Sequence, residues 1–126
     1  MKVLTIREPW ASLIVNGYKK YEFRSWKTNY RGKLLIHAGL TLEKEYAKKF
    51  EMYDLNYKFG YIIGEVTLVD CILVDDEFND ILLNINPLVY GISMHTRRYA
   101  WKLDNFILYD KPIKCRGKLG LWDYTI

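Results

Sequence analysis

Residues 61–75, YIIGEVTLVDCILVD, carry β-branched and other apolar side chains along their whole length. A strand of about fourteen residues would reach about 46 Å, longer than a small domain is wide. The run must therefore bend, and Gly64 and the polar interruption at Asp70 are the expected places. A long bent strand is what a small closed or nearly closed barrel uses to turn its corners. The chain has 126 residues, and no linker, repeat or low-complexity stretch divides them, so residues 1–126 read as one domain. Half of the residues are hydrophobic and 16% are aromatic, which supplies a core and excludes wholesale disorder.

Around that strand the pattern alternates between short β and short α segments. VLTI at 3–6 reads as a strand. Pro9 then suits the first position of a helix with Trp10, Leu13 and Ile14 on one face, closed by Gly17. From Lys20 the period becomes two, with Tyr21 and Phe23 pointing one way and Lys20, Glu22, Arg24 and Trp26 the other. KLLIHAG at 33–39 is a second strong strand. Thr41 is expected to cap a helix of Leu42, Tyr46, Ala47 and Phe50, with Glu43 and Glu45 in its first turn. Residues 77–85 suit a short helix, and the segment from 97 onward offers two or three more strands. The expectation is an α+β fold: a small β-barrel of about six strands with two or three flanking helices.

Charge is sorted along the chain. Residues 1–36 hold eight Lys or Arg against two Glu, residues 37–96 hold four basic against ten acidic, and residues 97–126 hold seven basic against three acidic. If the two ends meet in the fold, one basic face lies opposite an acidic one and favours a polyanionic partner. Solvated faces without function explain the same sorting. No apolar run is long enough for a membrane span and the N-terminus lacks signal-peptide character, so the expected setting is cytoplasmic with no membrane partner. Cys71 and Cys115 read as reduced thiols. His37 reads as a strand histidine with a satisfied ring, and His95 has no metal-spaced partner. No phosphate-binding loop, dinucleotide fingerprint or metal cluster occurs, so neither cofactor nor metal is implied.

The segment GYKKYEFR at 17–24 fits G-x-K-x-x-E-x-R, with Gly17, Lys19, Glu22 and Arg24 in the fixed places. EPWASLIVNG precedes it, SWKTNYRGKLLIHAG follows, GYIIGEVTLVDC lies in the middle, and AWKLDN and RGKLGLWDY come near the end. Together these resemble the ASCH domain, a member of the PUA-like superfamily, over nearly the whole chain. The resemblance implies a β-barrel with flanking helices, a cleft beside the first helix and the motif strand, and a role in binding RNA or another nucleic acid. Some small ASCH relatives are amidohydrolases on N4-acetylated cytidine and carry Thr as nucleophile where this chain has Glu22, so that mechanism does not transfer directly. For their acidic site residue the candidates here are Glu65 and the acidic cluster at 75–80.

Each of these residues admits a structural and a functional reading. Gly17 lets the chain turn sharply off the helix and bring Lys19 near its end. Lys19 can bind phosphate or move protons, or be a solvated loop lysine. Glu22 and Arg24 share a strand face, either as a structural ion pair or converging on a polar ligand. Trp10 and Trp26 can stack on bases or fill the core. Arg31, with Lys27, Tyr30 and Lys33, suits a phosphate-tracking loop, and Arg97, Arg98, Lys102, Lys114, Arg116 and Lys118 can extend the basic surface.

The leading expectation is a binding module for RNA, single-stranded nucleic acid or modified nucleotides, walled by Trp10, Lys19, Glu22, Arg24 and Trp26, with Arg31 beside it. The rival is a small hydrolase acting on an acylated nucleobase or on RNA, with Lys19, Glu22 and Glu65 as catalytic residues. A protein-interaction domain is the third possibility.

Overall fold

The computed structural model describes residues 1–91 and 97–125; His95 lies outside the described residues. Strands β1 (Lys2–Glu8), β2 (Tyr21–Arg24), β3 (Gly32–Leu42), β4 (Tyr61–Leu73), β5 (Tyr99–Lys114) and β6 (Leu121–Asp123) form one sheet in the order β2-β5-β4-β3-β1-β6. β1 and β3 run parallel, and the other neighbours are antiparallel. The sheet is open, with β2 on one edge and β6 on the other, so the barrel expected from the sequence is corrected to a six-stranded α+β sheet. Helices α1 (Trp10–Val15), α2 (Lys44–Lys49), α3 (Asp76–Ile85) and α4 (Pro87–Tyr90) flank it. No helix of the described residues is long and apolar enough to cross a membrane.

The long strand behaves as its length demands. β4 pairs with β5 through three register shifts, and two of them fall at Ile62/Gly64 and at Leu68/Asp70, beside the residues singled out in the sequence. Gly64 has a second duty. A Cβ placed there would lie 2.3 Å from the Ile107 carbonyl oxygen and 2.8 Å from Val15, so only glycine lets α1 settle against the sheet at that point.

Alternation along β1 and β3 splits the core between the two faces. Leu4, Ile6, Leu34, Ile36 and Ala38 pack with Ile14 and Val15 of α1, while Val3 and Leu35 face the other way against Ile62 and Trp122. A further cluster joins Leu13 of α1 to Phe23, Phe50, Leu82, Val89 and Tyr90, which ties α1 to the edge strand and the outer helices. Helix α1 is therefore buried on nearly every side from Ala11 to Val15.

Local chemistry fixes the ends of α1. Pro9 stands one place before the helix rather than within its first turn. The buried Glu8 carboxylate caps the helix by accepting from Ser12 N at 2.7 Å and Ser12 Oγ at 2.5 Å. Burial pushes the Glu8 carboxyl above its ordinary pKa, against the lowering effect of the Ser12 bonds. At the other end Gly17 has a φ of 81°, and the backbone N–H groups of Tyr18 and Lys19 both donate to Leu13 O, at 2.9 and 3.1 Å. The turn thereby delivers Lys19 to the end of α1, as the sequence suggested.

The start of α2 differs from the expectation. Thr41 does not cap α2; it continues β3, because Leu42 still pairs with Glu8 and Glu43 N donates to Glu8 O at 2.9 Å. The cap position falls to Glu43. The strands expected after residue 97 are one very long strand, β5, and the short β6, which pairs with β1. The two ends of the chain thus meet, with the Met1 amino group donating to Tyr124 O at 2.8 Å.

Candidate nucleic-acid interface

A cleft of about 690 Å³ opens where α1, β2 and the ends of β1 and β3 converge, with the loop before β6 on its far side. That is an ordinary size for a small-ligand site. Among the described residues, five cationic side chains line it, Arg7, Lys19, Arg24, Arg98 and Lys118, against two carboxylates, Glu22 and Glu43. All five cations come from the basic first and last stretches of the sequence, which the pairing of β1 with β6 and of β2 with β5 brings together. Among the described residues of the acidic middle stretch, only Glu43 contributes charge to the cleft.

At the base of the cleft lies a buried ionic cluster. Lys19 is only 4% exposed, and its Nζ donates to Tyr21 O at 2.7 Å and to Glu22 Oε1 at 3.0 Å. The same ammonium lies 5.6 Å from the Trp10 ring centroid and 5.1 Å from that of Phe23. Arg24 holds the other Glu22 oxygen, through Nε at 3.2 Å and Nη2 at 3.0 Å, and anchors itself on Thr5 O at 3.0 Å. Alternation places Glu22 and Arg24 on one side of β2, while the chain's return at Gly17 supplies Lys19.

The electrostatics follow from burial and company. Burial pushes the Lys19 amine below its ordinary pKa; Glu22 opposes that, and the neighbouring Arg24 and Arg98 reinforce it. For Glu22 burial acts to raise the pKa, but Lys19 and Arg24 outweigh it and hold the carboxyl below the ordinary value. Glu22 is therefore an ionised, fully engaged acceptor rather than a proton donor.

The walls are aromatic and apolar. Trp10 donates its indole N–H to Glu43 Oε2 and packs against Tyr46 and Phe50, with centroids 5.4 and 5.7 Å away. Leu40, 82% exposed, and Leu119, 98% exposed, stand on the cleft lining. Exposure of two leucines at one opening suits contact with the face of a planar ligand.

Of the residues expected to wall the site or act in it, the structure brings Trp10, Lys19, Glu22 and Arg24 together and leaves Trp26, Arg31 and Glu65 outside the cleft, while Arg98 and Lys118 of the expected basic surface join its lining. Trp26 stands edge-on to Trp101, 4.8 Å between centroids, because β2 ends at Arg24 and the alternation stops there. Arg31 folds back onto the carbonyls of Thr28 and Tyr30 and approaches Asp70 at 3.8 Å. Glu65, the other expected proton carrier, lies on β4, accepting from Tyr109 Oη at 2.8 Å and facing Lys33 at 3.5 Å, and does not line the cleft that holds Lys19. The acidic cluster at 75–80 lies around the start of α3, where Asp75 caps the helix, and none of it lines the cleft. His37 has both ring nitrogens engaged, with Thr5 Oγ1 at 3.2 Å and Cys115 O at 2.8 Å. Arg7 and Tyr46 were not anticipated as cleft residues. Arg7 was within reach, since it continues the period-two face of Thr5.

The open α+β sheet, with a buried Lys–Glu–Arg cluster flooring a cleft lined by more cations than carboxylates, is that of a PUA-like domain. The chain belongs to the ASCH domain family, whose sequence profile matches residues 4–111. It is 29% identical over 132 aligned positions to human activating signal cointegrator 1 and 30% identical over 130 to the mouse protein. The match covers 82% of this chain but 22% of each relative, so the chain spans about a fifth of their length. Among solved structures, the ASCH protein of Zymomonas mobilis superposes with a TM-score of 0.58 at 17% identity, covering 90% of this chain and 72% of that one. Two mutants of it give 0.55 and 0.57. At that identity the likeness is one of fold.

Proposed function

We propose that the cleft binds single-stranded RNA or a modified nucleotide, with phosphates at the cationic rim and a base against the aromatic wall. The observation that carries this reading is the imbalance of charge: Glu22 is consumed inside the cleft by Lys19 and Arg24, while Arg7, Arg98 and Lys118 remain exposed and form no ion pair among the described residues. Exposed cations in a concave, part-aromatic site attract a polyanion that carries planar groups. The likeness to the ASCH family supports the same reading. The test is fluorescence anisotropy with a short labelled RNA, comparing the parent with an Arg98→Ala, Lys118→Ala double variant. Affinity is expected to fall by about tenfold or more; equal affinity would place the ligand elsewhere.

One observation favours a second reading, hydrolysis of an acylated nucleobase: Lys19 is desolvated, with its amine held 3.0 Å from a carboxylate. Against it, that carboxylate is gripped from both sides and cannot readily take up a proton. Incubation with N4-acetylcytidine followed by chromatography separates the two readings. No cytidine is expected. Release that vanishes in both Lys19→Met and Glu22→Gln would establish the hydrolase.

A further inference from the structure

The two carboxylates of the cleft are in opposite states. Glu22 has Oε1 taken by Lys19 and Oε2 by Arg24. Glu43 has Oε2 bonded to the Trp10 indole, and its Oε1 has no hydrogen bond or ion pair among the described residues. The position of Glu43 is nevertheless fixed from several directions. Its N–H donates to Glu8 O at 2.9 Å, its carbonyl accepts from Tyr46 N and Ala47 N at 3.1 and 3.0 Å to start α2, and its side chain is tethered to Trp10. A rigidly placed acceptor thus stands at the edge of the aromatic wall, in a cleft whose cations leave it unneutralised.

We infer that Glu43 reads the base: it selects nucleotides whose pairing edge carries an exocyclic amino group, cytosine, adenine or guanine, over uracil. The inference rests on the proposed RNA-binding role of the cleft. A carboxylate only accepts hydrogen bonds, so it favours a ligand edge that offers an outward N–H. The amino groups of cytosine and adenine are such donors. The one donor on the pairing edge of uracil, N3–H, is flanked by two carbonyl oxygens whose lone pairs would face the carboxylate. With the base against the Trp10 indole, to which Glu43 is tethered, the single free oxygen of Glu43 meets its edge while the phosphates reach outward to Arg7, Arg98 and Lys118.

The experiment compares short oligocytidylate, oligoadenylate and oligouridylate of equal length at one salt concentration. The parent is expected to bind the uridine oligomer about tenfold more weakly than the cytidine one. Glu43→Gln keeps an acceptor for the Trp10 indole and adds a donor, so the gap should close to about twofold or less. Glu43→Ala, checked for folding by thermal melting, should close it as well. If the parent binds all three equally, or if both variants keep its preference, Glu43 reads nothing and the RNA-binding cleft stands without it. If no oligomer binds at all, the RNA-binding reading falls and this inference falls with it.

Discussion

At the scale of single residues, the cluster of Lys19, Glu22 and Arg24 is the most consequential feature, because removing its centre strands two cations. Glu22→Ala leaves the buried Lys19 ammonium without its counter-ion and should cost about 3–5 kcal/mol, read as a lowered denaturant midpoint. Glu22 also sets a pH dependence. Its folded-state pKa lies below the unfolded value near 4.5, so the stability it contributes is complete above that value and is lost as pH falls through the folded one. Melting curves taken downward from pH 5 should show this loss in the parent and not in Glu22→Gln. Trp26 gives a contrasting case. Edge-on to the fully buried Trp101 and away from the cleft, Trp26→Ala should unfold earlier while keeping RNA affinity within about twofold. The sequence showed the cluster through the spacing of one short segment, since a turn at Gly17 and two-residue alternation suffice to bring three side chains together. It did not show Glu43 as part of the site, because that carboxylate stands at the start of α2, one residue past β3, and the parallel pairing of β1 with β3 brings it beside Trp10.

At the scale of elements, α1 packs closely against the sheet and brings Trp10 to the cleft. The short helix has almost no surface of its own and depends on the Glu8 cap, the Gly17 turn and the gap left by Gly64. Gly64→Ala should therefore destabilise by about 1–3 kcal/mol, measured by urea unfolding, since its new methyl group meets the Ile107 carbonyl oxygen as well as the stiff Val15 side chain. The need for β4 to bend could be read from its length, and glycine marked one place for it. Whether the sheet closes could not be read the same way. Closure depends on the pairing of edge strands, and neither the four residues of β2 nor the three of β6 carry a pattern that says which neighbour they join. The end of β3 was obscured for a related reason: Thr41 has the chemistry of a helix cap, but pairing with β1 keeps it in the strand.

At the scale of the whole molecule, charge sorting along the chain becomes charge sorting in space. The basic first and last stretches meet because β1 joins β6 and β2 joins β5, and among the described residues they deliver the five cations that line the cleft. In the proposed function the exposed part of this group holds a nucleic-acid backbone. The most direct test is the slope of log affinity against log salt for a short single-stranded RNA. Three phosphate contacts through Arg7, Arg98 and Lys118 predict a slope of about −2, falling to about −0.7 in the Arg98→Ala, Lys118→Ala double variant. A flat response in the parent, or a slope that the double variant leaves unchanged, would contradict the account.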